Sequence, residues 1–448
     1  MSPRFWSFCL QWTRVGIGAV VFLIAARHLT LAEIGAFATA YAPIRLTQGL
    51  HKAGIAETVI ILGHRPTRLD SLFALSLTTG VLLTAAFIAA AFVITNPILA
   101  TLAIIPLLNA IGAVPDGLLR KSLRLRALAL RTLATQTIAA AIALWLLSTG
   151  AGVWALVVFA LVNALLTNLI ALTLAKWRPA SWPSWSQQAL IWPKTAQIAG
   201  RDFLANALFP LAQLAIAASF GLTAAGAFQI ATRILSLIDA LAISPLRYIA
   251  LPDLSKAQKA TFIQTLQAQL RLTIPLSAWI WGGTFAAAPH ILTLAVGPDH
   301  ASDVTPLLRA LSLLGLCSAL SMPLTQALTA KGHTALVLTR AAVMLAAAAT
   351  LALPALLISP TATALALSLG ALITTTWYIG TALPRLDLTG QALIPHAIPL
   401  LAAATMALVL LTLQNVITFP PIEALTIQIL AGTALFLGLL HLTRRALP

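Results

Sequence analysis

The stretch LLTAAFIAAAFVIT, residues 82–95, is apolar on every side and contains no charged residue. A strand of a membrane β-barrel would alternate apolar and polar positions, and this run does not. A bilayer core offers no partner to backbone polar groups, so a continuous apolar run crosses it as a helix. The stretch therefore predicts a transmembrane α-helix.

Runs of the same kind fill most of the chain, whose 448 residues are 60% hydrophobic and only 8% charged. That composition leaves too little polar surface to cover a water-soluble core. Segments of about 20 largely apolar residues predict an all-α polytopic membrane protein with fourteen transmembrane helices. Their predicted spans are 7–26, 33–60, 71–94, 97–118, 130–148, 152–175, 202–220, 226–250, 272–295, 304–328, 338–358, 362–382, 396–414 and 423–442.

The positive charges set the predicted orientation. The chain has 27 Lys and Arg against 11 Asp and Glu, a net charge of +16. If both termini are cytoplasmic, only Arg27 falls in an outer break, as the positive-inside rule requires. The charges are spread over many breaks, which favours contact with membrane lipids over nucleic acid. The cations of the cytoplasmic breaks are Arg4, Arg65, Arg68, Arg120, Lys121, Arg124, Arg126, Arg131, Lys176, Arg178, Lys194, Arg201, Lys256, Lys259, Arg271, Lys331, Arg340, Arg385, Arg444 and Arg445.

The chain carries a sign of internal duplication. The stretch EIGAFATAY at 33–41 resembles AAGAFQIAT at 224–232, with a shift of 191 residues. The repeat predicts two pseudo-symmetric six-helix lobes, a plan common among transporters. The predicted segments are an N-terminal lobe 1–175, a cytoplasmic linker 176–200, a C-terminal lobe 201–383 and two additional helices in 384–448.

Six cations lie inside the predicted helices: Arg14, Arg45, Lys52, Arg233, Arg247 and Arg309. A charge facing lipid at mid-bilayer costs from a few to more than ten kcal/mol, so such side chains normally face a hydrated or protein-lined cavity. The spacing of Arg45 and Lys52, and of Arg233 and Arg247, places each pair on one helix face.

Guanidinium forks without nearby carboxylates suit a phosphate or pyrophosphate. We therefore predict that Arg14, Arg45 and Arg233 bind substrate. Lys52 and Arg247 either join them or extend to the headgroups, and extension to the headgroups is the better interpretation of Arg309.

Acidic and catalytic residues are scarce in the predicted helices. Asp202 is expected to open helix 7 and Asp239 lies inside helix 8, where each is interpreted as an ion-pair partner or a coupling group. The eight histidines show no metal-ligand spacing, and no nucleotide-binding or hydrolase motif is present. The sequence predicts a transporter without metal, cofactor or catalytic residues.

Four stretches resemble a known family. They are GAGVWALVVFALVNALL from residue 150 with KWRP close behind, the segment 22–60, the segment 221–255, and TQALTAKGHTALVL at 325–338; GVWALV at 152–157 is the most specific. The chain resembles the O-antigen and exopolysaccharide flippases of the multidrug/oligosaccharidyl-lipid/polysaccharide exporter superfamily.

The resemblance implies a V-shaped pair of bundles with a cationic cavity lined by helices 1, 2, 7 and 8. By matching position, Arg14, Arg45 and Arg233 would lie in it. The implied substrate is a polyprenyl-pyrophosphate-linked oligosaccharide, moved by alternating access across the bacterial cytoplasmic membrane. A glycan polymerase and other polysaccharide-assembly proteins are the implied partners.

Two other functions are compatible with part of the pattern. A cation-coupled exporter of small molecules or drugs would need a titrating acid, for which Asp202 and Asp239 are the candidates; helix 1 lacks the acid that drug exporters of this superfamily often carry. A membrane glycan polymerase or ligase would carry a long outer loop, whereas the outer breaks here are short, as in STGAG at 148–152.

Overall fold

The computed structural model describes residues 3–62, 66–122, 124–180, 185–256, 258–388, 395–416 and 420–446. Within them the chain forms seventeen α-helices and two short π-helical segments, with no strand. The α-helices are α1 (Pro3–His28), α2 (Leu31–Gly49), α3 (Ala56–Leu62), α4 (Pro66–Val93), α5 (Pro97–Leu102), α6 (Ile105–Lys121), α7 (Leu125–Ser148), α8 (Trp154–Ala175), α9 (Trp185–Asn206), α10 (Leu208–Ile238), α11 (Ser244–Lys256), α12 (Lys259–Val296), α13 (Pro298–Ala330), α14 (Thr334–Ala355), α15 (Pro360–Arg385), α16 (Ala397–Val416) and α17 (Pro421–Ala446).

The helices confirm the predicted all-α multi-pass fold. Eleven helical stretches of the described residues are long and apolar enough to cross a membrane. Several predicted spans are built from more than one helix: 33–60 contains α2 and α3, and 97–118 contains α5 and α6. The others correspond to one helix each, except at the seventh and eighth spans.

Local sequence signals explain several helix starts. Thr30 caps α2 in a reciprocal box: its hydroxyl accepts a hydrogen bond from the Glu33 amide at 3.3 Å, and the Glu33 carboxylate accepts one from the Thr30 amide at 2.9 Å. Asn96 caps α5, where Pro97 needs no amide partner. These caps separate neighbouring membrane passages with very few residues.

The seventh and eighth spans differ from the prediction. A break at Asn206–Ala207 separates α9 from α10, and α10 then changes direction at Gly221, whose φ of +82° is outside the helical region. Asp202 was expected to open a helix, and this expectation is wrong, because Asp202 lies near the end of α9. The break was missed because Asn206 and Ala207 lie in an otherwise continuous apolar pattern.

The two π-helical segments occupy similar positions in the two copies of the repeat. Leu50–Ile55 follows α2, and Asp239–Ile243 follows α10. Shifting the first by the repeat distance of 191 residues gives 241–246, which overlaps the second. A π-helical turn inserts an extra residue into a helix and is often found at functional sites. The duplication thus extends from sequence to backbone geometry.

The chain divides into two compact units, Met1–Gly226 and Ala227–Pro448. In the first, α3, α4, α6 and α9 share a core that includes Ile55, Leu72, Val114 and Ile191. The helix α8, which begins at the Trp of the GVWALV stretch, packs on α6 and α7. The division at residue 226 does not coincide with the lobes expected from the repeat, so the predicted lobe boundaries stay a prediction.

In the second unit, α12, α13 and α15 share a core that includes Leu266, Leu324 and Tyr378. A further cluster joins α12 to α16 and α17 through Met406 and Phe436. The helix α12 runs unbroken over 38 residues, and its first part, up to Arg271, continues directly into the predicted span 272–295. Its apolar residues belong to the core of the unit.

A buried charge cluster fixes the inner part of the first unit. Asp116 lies 2.7 Å from the guanidinium groups of both Arg120 and Arg131, and the side chains of Asp116 and Arg131 are only 14% and 7% exposed. The sequence pattern suggested a hydrated Asp116 near a helix end. The structure shows instead that the carboxylate is enclosed by two cations, one of them from the neighbouring helix α7.

We expect Asp116→Ala to lower the free energy of unfolding by about 3–5 kcal/mol, because it leaves Arg131 buried without its counter-charge. Thermal unfolding of the purified protein in detergent measures the loss. The matched control is Glu57→Ala, which breaks the exposed pair with Arg201 and should cost about 1 kcal/mol or less. Equal effects of the two substitutions would contradict this account.

Candidate substrate site

Arg45 lies on α2, fourteen residues after Leu31 and so about 21 Å along the helix. That distance is well inside a hydrocarbon core of about 30 Å. The side chain is exposed, and among the described residues it makes no hydrogen bond or ion pair. Arg45 is therefore an exposed cation within the predicted span 33–60, and no acidic side chain of the described residues pairs with it.

A line of polar and aromatic side chains continues along the same face of α2. The rings of Phe37 and Tyr41 are stacked, with centroids 5.5 Å apart. Gln48 donates a hydrogen bond to the Tyr41 hydroxyl at 3.0 Å and accepts one from the Lys52 ammonium at 3.0 Å. Because these positions are three or four residues apart, they share a face with Arg45. The face thus holds two cations, hydrogen-bonding groups and an aromatic stack.

Asp202 brings one negative charge to this face. It is half-buried on α9, and its carboxylate lies against the backbone of Gly49, where an added Cβ would stand 3.2 Å from the carboxyl carbon. Asn206 donates a hydrogen bond to the carboxylate at 3.1 Å. The face that carries Arg45 and Lys52 therefore has two cations and one hydrogen-bonded acid, Asp202, beside it.

The surroundings of two other predicted binding residues, Arg14 and Arg233, are described in less detail by the structure. Arg14 belongs to α1, but its side chain lies outside the described residues. Arg233 is half-buried on α10 in the second unit, eleven residues after Leu222 and so roughly 17 Å along that helix. Its depth along α10 is similar to that of Arg45 along α2, as the repeat predicts.

Arg247 and Asp239 form an ion pair across the second π-helical segment. Their closest atoms are 3.6 Å apart, and their side chains are 43% and 30% exposed. The distance is long for a salt bridge and both groups are partly open, so the acid balances the arginine without enclosing it. This pair accounts for the charge of Asp239 within the protein.

Another arginine of the second unit, Arg340, lies within a candidate membrane span. Arg340 was counted with the cations of the cytoplasmic breaks, although the predicted span 338–358 contains it. The helix α14 begins at Thr334 and carries Arg340 within a candidate membrane span. Its guanidinium lies over the ring of Tyr378, 5.1 Å from the centroid, and Tyr378 is fully buried. A cation–π contact contributes about 0.5–2 kcal/mol, less than the cost of a charge in the bilayer.

Two glycines of the duplicated motif touch each other's backbone. A Cβ on Gly35 would stand 2.9 Å from the Gly226 amide nitrogen, and a Cβ on Gly226 would stand 3.1 Å from the Gly35 amide nitrogen. The carbonyl groups of Leu222 and Leu31 lie still closer to these positions. Side chains are therefore excluded at the point where α2 meets the start of the second half of α10.

Other polar groups of the candidate region are structural. The ring Nε2 of His51, which is buried, lies 3.3 Å from both the Ser76 carbonyl and the Thr79 hydroxyl. Arg309 donates a hydrogen bond to the Phe285 carbonyl at 3.2 Å and lies over that ring. No cluster of three or more His, Cys, Asp or Glu side chains that could hold a metal occurs among the described residues.

Comparison with known proteins identifies the family. A family model described as "Polysaccharide biosynthesis protein" matches residues 24–305, more than half of the chain. The chain belongs to the polysaccharide biosynthesis protein family. The match covers α2, the first quarter of α13 and all helices between them, so Arg45, Arg233 and Asp239 lie within the family region. No curated protein sequence matches the chain.

Solved structures with the same fold are transporters of the MOP superfamily and a lipid flippase. The lipid II flippase MurJ, in an inward closed conformation, has a TM-score of 0.80 at 12% identity, covering 99% of both chains. An inward-facing multidrug resistance MATE transporter of the MOP superfamily has a TM-score of 0.59 at 13% identity, over 86% of this chain and 95% of its own. A MOP superfamily transporter from Pyrococcus furiosus, described as having a binding pocket of reversed polarity, has a TM-score of 0.55 at 14% identity, over 86% and 96%. At these identities the likeness concerns the fold, and it agrees with the predicted superfamily.

Proposed function

We propose that this member of the polysaccharide biosynthesis family is a flippase for polyprenyl-pyrophosphate-linked oligosaccharides. It moves repeat units for exopolysaccharide or O-antigen synthesis across the bacterial cytoplasmic membrane, with both termini in the cytoplasm. Membrane lipids surround it, and a glycan polymerase uses its product on the outer side. The family and the predominance of cations over acids along the candidate site support this substrate class.

The observation that carries the proposal is the state of Arg45. Its guanidinium lies within the predicted membrane span 33–60, is exposed, and has no partner among the described residues. An uncompensated charge in a membrane helix is costly, and such residues mark transport pathways. A pyrophosphate offers the negative charge and paired oxygens that a guanidinium fork binds best. Arg14, Arg233, Lys52 and Arg247 are the other residues that we propose bind the substrate.

The acids of the region support a flippase over a cation-coupled drug exporter. Asp239 is paired with Arg247, and Asp202 accepts a hydrogen bond from Asn206. A coupling carboxylate must lose and regain its charge during transport, and a neighbouring arginine opposes that by stabilising the charged form. In this proposal Asp239 therefore positions Arg247, and Asp202 is the candidate coupling acid of the drug-exporter alternative.

The contact between Gly35 and Gly226 gives the proposal a conformational element. We infer that this contact closes the outer end of the pathway and separates when the substrate leaves. Two helix backbones can meet this closely only where neither residue carries a side chain. Because the same motif glycine comes from each copy of the repeat, the closed state depends on both.

The proposed function is tested by deleting the gene in its own host and measuring surface glycan together with lipid-linked repeat units. We expect the deletion to remove the surface glycan while repeat units accumulate on the inner leaflet, and the plasmid-borne chain to restore both. Normal surface glycan in the deletion strain would contradict the proposal. Drug sensitivity with unchanged glycan would instead identify an exporter of small molecules.

A further inference from the structure

Arg340 is a cation of the second unit that has no ion-pair partner among the described residues. It lies six residues after Thr334, about 9 Å into α14, a distance that an arginine side chain could span to reach the headgroups. It does not take that course, because the guanidinium lies on the ring of the fully buried Tyr378. Tyr378 is itself held by a hydrogen bond from its hydroxyl to Thr325 at 3.2 Å. The ring thus fixes the guanidinium inside the unit.

No acidic side chain of the described residues neutralises this charge. No carboxylate of the described residues lies within salt-bridge distance of Arg340, and its Nε atom is buried without a hydrogen-bond acceptor. The face of the Tyr378 ring offers only a weak partial negative charge. A buried guanidinium that lacks an acceptor is unfavourable, unless an anion is bound during part of the working cycle.

A second arginine lies near enough to repel it. Arg247 acts on Arg340 as a like charge, which makes the empty arrangement less favourable still. Asp239 pairs with Arg247 at 3.6 Å and supplies one negative charge against two positive ones. The cluster of Arg247, Asp239 and Arg340 therefore carries a net positive charge within one unit, on α11, on α14 and at the end of α10.

We propose that Arg340 binds a phosphoryl group together with Arg247, and so forms an anion site in the second unit. The inference rests on the proposed flippase function for the identity of the ligand, which is the pyrophosphate of the lipid-linked oligosaccharide. The chemistry alone also fits the phosphate of an ordinary anionic phospholipid. Tyr378 acts as the support that holds the guanidinium in position.

The chain offers a matched control for this residue. Arg309 also lies over an aromatic ring of the same unit, that of Phe285, but its Nε donates to a backbone carbonyl and the ring is 36% exposed. Substituting Arg309 therefore removes an arginine–aromatic contact and one positive charge without touching the proposed anion site.

The first experiment measures surface glycan in the deletion host carrying each variant. We expect Arg340→Ala and Arg340→Gln to reduce export at least tenfold, Arg340→Lys to retain part of it, and Arg309→Ala to match the wild type. If the wild-type chain restores glycan and Arg340→Gln restores it equally, the anion site is wrong and the flippase function stands. If the host needs no such protein for its glycan, the function is wrong, and the binding experiment then decides the anion site alone.

The second experiment measures binding to the purified full chain in phosphatidylcholine nanodiscs. Undecaprenyl pyrophosphate and phosphatidylglycerol are titrated separately, and bound lipid is detected by native mass spectrometry. We expect Arg340→Gln to weaken undecaprenyl pyrophosphate binding at least tenfold and to leave phosphatidylglycerol nearly unchanged, while Arg309→Ala changes neither. An effect on phosphatidylglycerol alone would overturn the substrate assignment. No effect on either lipid, in a variant that unfolds at the wild-type temperature, would overturn the site.

Discussion

Replacing Arg45 with alanine is expected to reduce glycan export to the level of the deletion strain. The guanidinium lies within the predicted membrane span 33–60 and has no partner among the described residues, so its removal costs little folding energy. A hydrogen bond to a charged group contributes about 1.5–3 kcal/mol, and two such bonds to one pyrophosphate correspond to a loss of roughly 100-fold or more in binding. Surface glycan and accumulated lipid-linked repeat units measure the effect.

Two variants make the Arg45 result specific. Arg45→Lys keeps the charge but loses the planar fork, so we expect partial export. Arg126→Ala removes one positive charge from an exposed position near the start of α7 and should leave export unchanged. Wild-type export by Arg45→Ala, with normal protein abundance, would show that the pathway does not use this residue. An equal loss of export in Arg126→Ala would show that the effect depends only on the overall charge of the protein.

Alanine at Gly35 or Gly226 is expected to abolish export while the protein remains folded. The added Cβ would lie within 3 Å of backbone atoms of the other helix, a separation that real side chains do not adopt. The clash involves backbone rather than flexible side chains, so the two segments must move apart. The proposed outer closure then fails, although the helix cores of each unit are untouched. Complementation measures export, and size-exclusion chromatography checks folding.

Accessibility distinguishes a failed closure from a general defect. Cys9 and Cys317 are first replaced with alanine. The substitution Ala38→Cys then introduces a single cysteine at a buried position one turn from Gly35. We expect a membrane-impermeant maleimide to label it at least tenfold faster in intact cells carrying Gly35→Ala. Gly283→Ala is the control, because nothing lies within 4 Å of its added Cβ. Unchanged labelling with full export would refute the closure.

The number and order of membrane passages were predictable because the bilayer imposes a length and a polarity on each one. The predicted span 152–175 corresponds to α8 at Trp154–Ala175, and 423–442 lies inside α17. The predicted duplication also identified Gly35 and Gly226 as equivalent before their contact was known. The cations Arg45 and Arg233 were found because charge is rare in such runs.

Other features depend on contacts between helices that are distant in sequence, which a local pattern does not contain. Asp116 and Arg131 are fifteen residues apart and meet only because α6 and α7 pack together. Arg340 is distinguished by the ring of Tyr378, 38 positions later. The helix start expected at Asp202 was wrong for a different reason, since the end of α9 is set by backbone geometry at Asn206 and Ala207.

The π-helical segment Leu50–Ile55, whose turn is wider than that of an α-helix, affects how related sequences should be aligned with this one. Each wide turn holds one residue more than the α-helical ladder needs, so every side chain beyond it is rotated by about 100° relative to an uninterrupted helix. Relatives that lack the extra residue would present a different set of side chains after this point. A one-residue gap at 50–55, or at 239–243, therefore changes which side chains face a given direction. Residues beyond such a gap should be matched by the direction in which they point and not by their position in the sequence.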